Sequence, residues 1–417
     1  MLDPMTTTVV VIFVIVYLGM LLGGLPFLQL DRTGVALLGA IALVATGDLT
    51  PEQAARSIHL PTLLLLFSFM VISAQMRLGG FYTWVTLRIA ALPLGPGAWL
   101  AALIVVVGVL SAVFSNDVVC LAIAPVLAGA CRRRRLDPVP YLLGLACASN
   151  IGSAATLIGN PQNMLIGSVL QLPFAGYFLE AIVPVTLGLA ALWAVLWWQL
   201  RDAGPTAGAA ETAAPMNERV EDHVPFDRWQ TTKGLAVAAT LVLAFLFTDW
   251  PREVAALAGA GVLLMSRRLH STHMLGLVDW ELLILFIGLF VVNHALEHTG
   301  VTAQAMQALA TYGMPLSEPA PLFAAALVLS NIVSNVPAVM LLLPAATEPL
   351  AGPLLALVST LAGNLLIVGS IANIIVVDAA RRNGIVIDWK RHARTGVPVT
   401  LLTLAITAGW LTFRIGH

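Results

Sequence analysis

Leu110-Ser111-Ala112-Val113-Phe114-Ser115-Asn116-Asp117 and Leu329-Ser330-Asn331-Ile332-Val333-Ser334-Asn335-Val336 are the two stretches whose reading decides the fold. Each is an apolar run ending in a Ser-Asn pair. Each is followed at the same spacing by a proline, Pro125 and Pro344. Ser115 and Ser334 stand 219 positions apart. A second echo follows, Gly159-Asn160-Pro161-Gln162-Asn163 and Gly369-Ser370-Ile371-Ala372-Asn373. Interrupted apolar segments at matching places in two halves of a membrane chain point to a transporter and to its binding site.

Composition supports the membrane reading. The 417 residues are 59% hydrophobic and only 10% charged. Apolar runs long enough to approach a bilayer crossing recur along the chain. The net charge of -1 leaves no basic surface for nucleic acid. The first thirty residues lack a basic n-region, so residues 8–29 read as a retained first span. Cys120, Cys131 and Cys147 have no metal-ligand spacing and read as small apolar packing residues.

Spans are expected near 8–29, 33–47, 60–76, 140–170, 180–199, 234–249, 254–266, 280–296, 352–379 and 395–413. Residues 96–131 and 320–344 are expected as hairpins that enter and leave on one side. Charge is the reason. Arg77 and Arg88 precede the first hairpin and Arg132-Arg133-Arg134-Arg135 follow it. A single crossing there would put basic clusters on both faces. With the hairpins, all Lys and Arg except Arg56, Arg252 and Arg414 fall on one side. By the positive-inside rule that side is cytoplasmic, and both termini lie outside. Five spans per half is an odd number, so the halves are oppositely oriented.

The expected fold is therefore an all-α polytopic membrane protein of about ten transmembrane helices plus two re-entrant hairpins in two inverted repeats. The first repeat covers residues 1–200, with hairpin 96–131 and broken helix 140–170. The second covers 233–417, with hairpin 320–344 and broken helix 352–379. Residues 201–232 read as a cytoplasmic linker with a short surface helix around Glu218 to Trp229.

Backbone cannot be left unpaired in hydrocarbon, so irregular segments at membrane depth line a polar cavity or are buried in protein. Breaks are expected at 115–117, 152–162, 334–336 and 365–370. Asn160 before Pro161 has the form of a cap before a first-turn proline. Ser334 and Asn335 before Val336-Pro337 read similarly, and Ser370 and Asp117 are cap-type residues at matching places. Four helix N-termini near the midplane would carry about half a positive charge each. Ordinary kinks and small-residue packing would explain one such break, but four in two symmetric pairs favour a site.

Asp117 is the one carboxylate expected deep in the membrane. It reads as a helix cap, as a proton or cation site, or as both. Charged, it would repel a dianion. The site then suits a neutral or singly charged solute, or an anion strictly coupled to H⁺ or Na⁺. His294-Ala295-Leu296-Glu297-His298 matches a zinc-peptidase pattern. It falls at the outer end of a span with no distant acidic ligand in view, and reads as a polar helix end.

Ser115-Asn116-Asp117-Val118-Val119 through Pro125, and Ser149-Asn150-Ile151-Gly152 through Ala155-Thr156-Leu157-Ile158-Gly159-Asn160-Pro161-Gln162-Asn163, resemble the ion transporter superfamily. Gly363-Asn364, Gly369-Ser370 and Asn373 match it as well. That group includes arsenite/antimonite pumps, divalent-anion/sodium symporters with a citrate-transporter-like domain, sodium/proton antiporters and P-protein-like permeases. The resemblance implies a secondary active transporter and no enzyme. It implies that the hairpin tips Ser115, Asn116, Ser334 and Asn335 bind substrate and coupling ion. With them come Asn150, Thr156, Asn160, Asn163, Asn364, Ser370 and Asn373, and a Na⁺ near Ser115, Asn116 and Asn160. No cofactor is expected, and the coupling ion is H⁺ or Na⁺. The expected substrate is a small anion or metalloid oxyacid. The expected setting is a bacterial-type plasma membrane, with lipid around the chain and a homodimer as the family's assembly. The tips here read Ser-Asn-Asp and Ser-Asn-Val, where the sodium/dicarboxylate branch has Ser-Asn-Thr twice. No G-x-x-x-x-G-K-[ST] loop occurs, so a pump subunit would need a separate ATPase. A passive channel is the remaining class.

Overall fold

The computed structural model describes residues 3–25, 28–202 and 225–416. The first half begins with α1 (Pro4–Leu22), α2 (Arg32–Ala45), α3 (Pro51–Ser57), α4 (Leu60–Leu78) and α5 (Phe81–Ala90). It continues with α6 (Pro96–Val113), α7 (Asn116–Arg133), α8 (Pro138–Ser153), α9 (Pro161–Val169) and α10 (Phe174–Asp202). The second half opens with α11 (Arg228–Phe247), α12 (Arg252–Leu264), α13 (Ser271–Leu275), α14 (Trp280–His298) and α15 (Val301–Thr311). It ends with α16 (Pro319–Val333), α17 (Asn335–Leu342), α18 (Ala351–Ala362), α19 (Ile371–Arg382) and α20 (Trp389–Ile415). The two series run in parallel. α4 and α14 start at Leu60 and Trp280, 220 positions apart. Gly80 and Gly300 then close the following turns with left-handed φ values of 69° and 73°.

Local sequence sets these elements. Asp3 caps α1, accepting from the Thr6 amide at 2.6 Å, and Pro4 occupies the first helical position. Thr50 and Gln53 form a capping box on α3. Among the described residues seven helices are long and apolar enough to cross a membrane: α1, α4, α6, α10, α11, α14 and α20. α2 and α12 have 14 and 13 residues. At 1.5 Å per residue each covers only about 20 Å. The two remaining expected spans are the broken pairs α8/α9 and α18/α19. Residues 203–224, most of the expected linker, lie outside the described residues, as does most of the helix expected around Glu218 to Trp229. Its described end departs from that expectation: Pro225 to Asp227 are not helical, and Asp227 caps α11, which starts at Arg228, by accepting from the amides of Trp229 and Gln230.

Contacts fix the direction of the hairpins. Leu100 and Ile104 of α6 face Gly144 of α8, and Gly108 faces Gly152, so α6 runs parallel to α8. The backbones are so close there that a Cβ on Gly152 would stand 2.4 Å from Gly108. α7 runs the other way along α8, since Asn116 sits at Asn150 and its far end returns to the start of α6. There the Arg134 guanidinium lies 5.0 Å from the Trp99 ring and donates to the carbonyls of Leu92 and Leu94. The α6–α7 pair thus enters and leaves at one level. The Trp193 indole marks this level on α10 by donating to the Gly97 carbonyl at 3.0 Å. The base of the α16–α17 hairpin lies at the opposite end of α10. There Ser317 to Pro319 and Glu348 to Ala351 share one hollow with Leu411 and Arg414. Arg414 clasps Glu180 at 2.6 Å, near the start of α10. Glu180 and Trp193 are 13 residues apart, about 20 Å along the helix. The two hairpins therefore enter from opposite ends and meet tip to tip.

Packing sorts the helices into two bodies that each draw on both halves. α4 packs on α11 and α12, and α14 on α1 and α2. These helices form a frame. α6, α7, α8 and α10 pack with α16, α18, α19 and α20 to form a core that carries both hairpins and both broken helices.

Candidate functional site

All four breaks end in a new helix, and all four new helices begin at one cavity. Its lining includes Asn116 and Asp117 from α7, Pro161 and Gln162 from α9, and Asn335 and Val336 from α17. Ser370 and Ile371 of α19, Ser334 and the frame residue Leu282 complete it. The space is about 30 Å³, enough for an ion or one or two waters. A larger hollow of about 480 Å³ lies at the base of the α16–α17 hairpin. It is remote from the tips.

Three of the four breaks are tighter than the sequence suggests, and the fourth, expected at 365–370, is wider and runs from Gly363 to Ser370. α6 stops at Val113 and α7 starts at Asn116, with Ser115 as the cap. Asp117 is not the cap; it is the second residue of the first turn of α7, where a carboxylate faces the helix's positive end. The break lies closer to α6 than residue types alone imply, and the cap moves with it. α16 and α17 are separated by Ser334 alone, at φ 77° and ψ 163°. That backbone region is costly for any residue with a side chain and is typical of functional sites. Asn160 is the cap its sequence announces, accepting from the Asn163 amide at 2.9 Å.

Behind the cavity a buried hydrogen-bond network joins the two halves with an approximate twofold. The broken helices repeat at an offset of 210, so Asn150 corresponds to Thr360, Asn160 to Ser370 and Asn163 to Asn373. Ser370 Oγ donates to Asn150 Oδ1 at 2.8 Å, and Asn160 Nδ2 donates to Thr360 Oγ1 at 3.3 Å. Asn150 Nδ2 donates to Asn373 Oδ1 at 3.3 Å, and Thr360 Oγ1 donates to Asn163 Oδ1 at 3.3 Å. Within each half, Asn163 Nδ2 donates to the Thr156 carbonyl and Asn373 Nδ2 to that of Leu366. Each half thus satisfies the cap region of the other.

Asn116, Asp117, Ser334, Asn335 and Ser370 face the cavity. Asn150, Asn160, Asn163, Asn364 and Asn373 stand behind it in the network. Asn150 joins the two sets: its Oδ1 accepts from Asn116 Nδ2 at 3.3 Å, and its Nδ2 donates to Asn364 Oδ1 at 2.9 Å. Thr156 holds the first tip instead, donating to the Ala112 carbonyl at 2.5 Å. Ser115 leans on the frame, its amide 3.4 Å from Ser73 Oγ of α4. Gln162, Thr360 and Leu282 are members that sequence reasoning missed. The 210-residue echo of Asn150 was the signal for Thr360. Nothing in the sequence marks Leu282.

Polar satisfaction in the cavity is lopsided. Asn116 Oδ1 and Asn335 Oδ1, twins on the two tips, are buried acceptors with no hydrogen-bond partner. No Lys, Arg or His side chain lines the space. The arrangement offers amide and carboxylate oxygens to donors and cations, and helix N-termini to acceptors. His294 and His298 lie outside it, their Nε2 atoms 3.0 Å apart on α14. No group of three or more His, Cys, Asp and Glu that could hold a metal occurs among the described residues.

Comparison with known proteins agrees with this geometry. The family described as citrate transporter (CitMHS) matches residues 10–362. An uncharacterized transporter of Mycobacterium tuberculosis is 30% identical over 93% of this chain and 94% of its own. The silicon efflux transporter LSI3 of Oryza sativa is 28% identical over 91% of this chain and 92% of its own. The crystal structure of the Alcanivorax borkumensis YdaH transporter superposes with a TM-score of 0.60 at 14% identity, covering 99% of this chain and 98% of that one, a likeness of fold. Opposed broken hairpins around a polar cavity and a family match over most of the chain lead to one statement: this protein is a membrane transporter belonging to the citrate transporter family.

Proposed function

We propose that the chain carries a small, uncharged, hydroxylated weak acid across the plasma membrane, coupled to H⁺ through Asp117. The observation that supports this reading is the lining of the cavity. It has unsatisfied amide oxygens, one carboxylate and four helix N-termini, and no cationic side chain. A hydroxyl both donates to such oxygens and accepts from such amides. Arsenous and silicic acids are neutral hydroxides near neutral pH, and one relative is named a silicon efflux transporter. The four helix ends supply about +2 and an ionised Asp117 cancels half of it. The cavity is thus electrostatically mild, a poor host for a bare dianion.

The frame–core arrangement supplies a motion. The tips sit at Ser73 on α4 and Leu282 on α14. Ser73 is five residues from the end of α4, and Leu282 two from the start of α14. Both are the ends that join the basic loops, which we take as cytoplasmic, leaving both termini outside. The cavity is therefore displaced inward. Exchanging the repeats at the 220 offset moves it to Thr62 on α4 and Asn293 on α14. That is a shift of eleven residues, about 16 Å at 1.5 Å each. Sliding the core by this distance gives alternating access.

A second reading has its own support. The twin orphaned oxygens of Asn116 and Asn335 also suit Na⁺, with Ser115 and Asn160 nearby. Bound cations would then make a carboxylate substrate tolerable, in keeping with the family's name. Proteoliposomes with imposed pH or Na⁺ gradients separate the two readings. Arsenite or silicic acid should accumulate under a pH gradient alone, and Asp117→Asn should retain downhill exchange but lose accumulation. Citrate accumulation driven only by Na⁺, or undiminished uphill transport by Asp117→Asn, would reject the proton-coupled reading.

A further inference from the structure

Few polar contacts cross between frame and core, and they go mainly to backbone. Tyr17 Oη reaches the Pro337 carbonyl at 3.4 Å and the Ser115 amide reaches Ser73 Oγ. Asn293 Nδ2 approaches Met340 Sδ at 3.9 Å. One contact carries charge. Arg252, the first residue of α12, donates from Nη2 to the Gly167 carbonyl at 2.8 Å. Gly167 lies in the last turn of α9, the half-helix whose first turn lines the cavity. A cation at this end also meets the negative pole of that helix. Arg252 is half-buried and is one of the three basic residues that the charge pattern leaves outside.

The repeat gives Arg252 a twin. Frame helices recur at an offset of 220, and Arg32 is the first residue of α2 as Arg252 is of α12. Broken helices recur at 210, so the twin of Gly167 is Val377, midway along α19 and next to Asp378, which here pairs with Arg381 and Arg382. In this structure only the Arg252 side is made. The Arg32 guanidinium, although partly desolvated, meets no carbonyl or carboxylate of α19 among the described residues. Arg32 lies at the basic end and Arg252 at the opposite one. An outward slide of the core carries Gly167 away from Arg252 and brings the second half of α19 toward Arg32.

We propose that Arg252 and Arg32 are alternating latches. Arg252 holds the core in the inward-displaced state through Gly167. Arg32 holds it in the outward-displaced state through the carbonyls around Val377 and the Asp378 carboxylate. Each latch opens as the other closes, so the charged hydrogen bond broken at one end of the stroke is replaced by another at the opposite end. The twin arrangement keeps the two states close in free energy, as rapid turnover needs. Arg252 and Arg32 are positioning residues and touch no substrate. The inference rests on the sliding core proposed above.

The test measures distances between spin labels at Asp249→Cys on the frame and Leu179→Cys on the core, both exposed sites, in the full chain in lipid nanodiscs. The unaltered arginine background should show two distance populations. Arg252→Ala should shift their ratio about tenfold toward the outward-displaced one, and Arg32→Ala about tenfold the other way, each equivalent to about 1.4 kcal/mol. The double variant should return near the starting ratio, and Arg252→Lys should show a smaller shift than alanine because only the forked guanidinium geometry is removed while the charge stays. Two populations that ignore both arginines, or that move the same way in both, would overturn the latches and leave the sliding core standing. A single population in every variant would overturn the sliding core and the latches with it.

Discussion

Asn150 is the joint of the network, and its replacement tests whether the halves are held together through the site. All four of its side-chain hydrogen-bonding capacities are used. Nδ2 donates to Asn364 Oδ1 and Asn373 Oδ1, and Oδ1 accepts from Ser370 Oγ and Asn116 Nδ2. Asn150→Ala removes four bonds of about 0.5–1.5 kcal/mol each. Asn116 and Ser370 line the cavity, so water can take over part of their bonding. Asn364 and Asn373, almost wholly buried, keep unpaired oxygens. The expected cost is about 3 kcal/mol, in the lower half of the range for four such bonds because water offsets part of the loss. Asn150→Asp preserves shape but replaces both donations with a carboxylate oxygen facing two amide oxygens. It should be the more damaging change although it is nearly isosteric. Fluorescence-detected size exclusion after a heat step should rank apparent melting as wild type, then Asn150→Ala, then Asn150→Asp, with transport abolished in both variants. An Asp variant at least as stable as the Ala variant would refute the donor assignment on which the twofold network rests.

Three further outcomes follow from the same geometry. Single-cysteine replacements at Arg88 and Arg133 should be labelled from the same face, because the hairpin between them returns to its starting level; labelling from opposite faces would sink the opposed-hairpin arrangement. Asn116→Ala and Asn335→Ala should each abolish transport, since each removes an amide oxygen that has no partner within the protein; apparent melting should stay nearly unchanged for Asn335→Ala and fall slightly for Asn116→Ala, which also loses its donation to Asn150 at a cost of about 0.5–1.5 kcal/mol, and wild-type transport rates would return both residues to a structural role. Gly152→Ala should destabilise the core by about 1–3 kcal/mol through overpacking, because its Cβ would meet the Gly108 backbone at 2.4 Å, and an unchanged melting profile would show that the two helices can part without cost.

The features legible in the sequence are those whose signal is local or repeated. Asn160-Pro161 announces its cap because side-chain acceptor and first-turn proline are adjacent in the chain. The Ser-Asn pairs announce two tips because they occur twice. The arginine clusters around residues 96–131 announce a hairpin because only a return keeps them on one face. Properties of contact between distant segments are not legible in this way. Residue type makes Asp117 a cap because aspartate caps helices well, yet Ser115 takes that place and leaves the carboxylate in the first turn, facing the cavity. Leu282 is one leucine among many, and its distinction is its axial level on α14, which no periodicity encodes. Arg252 is the instructive case. Charge counting makes it an exception to the positive-inside pattern, and the repeat alone pairs it with Arg32. Its bond to Gly167 turns that exception into the one charged contact seen between frame and core among the described residues. A basic residue at the end opposite the arginine clusters runs against the charge pattern, whereas a cation at the last turn of α9 is stabilised by the helix it touches. On the latch proposal, the reason for the exception lies in the interface between frame and core, where a charge of this sign would serve each end of the stroke.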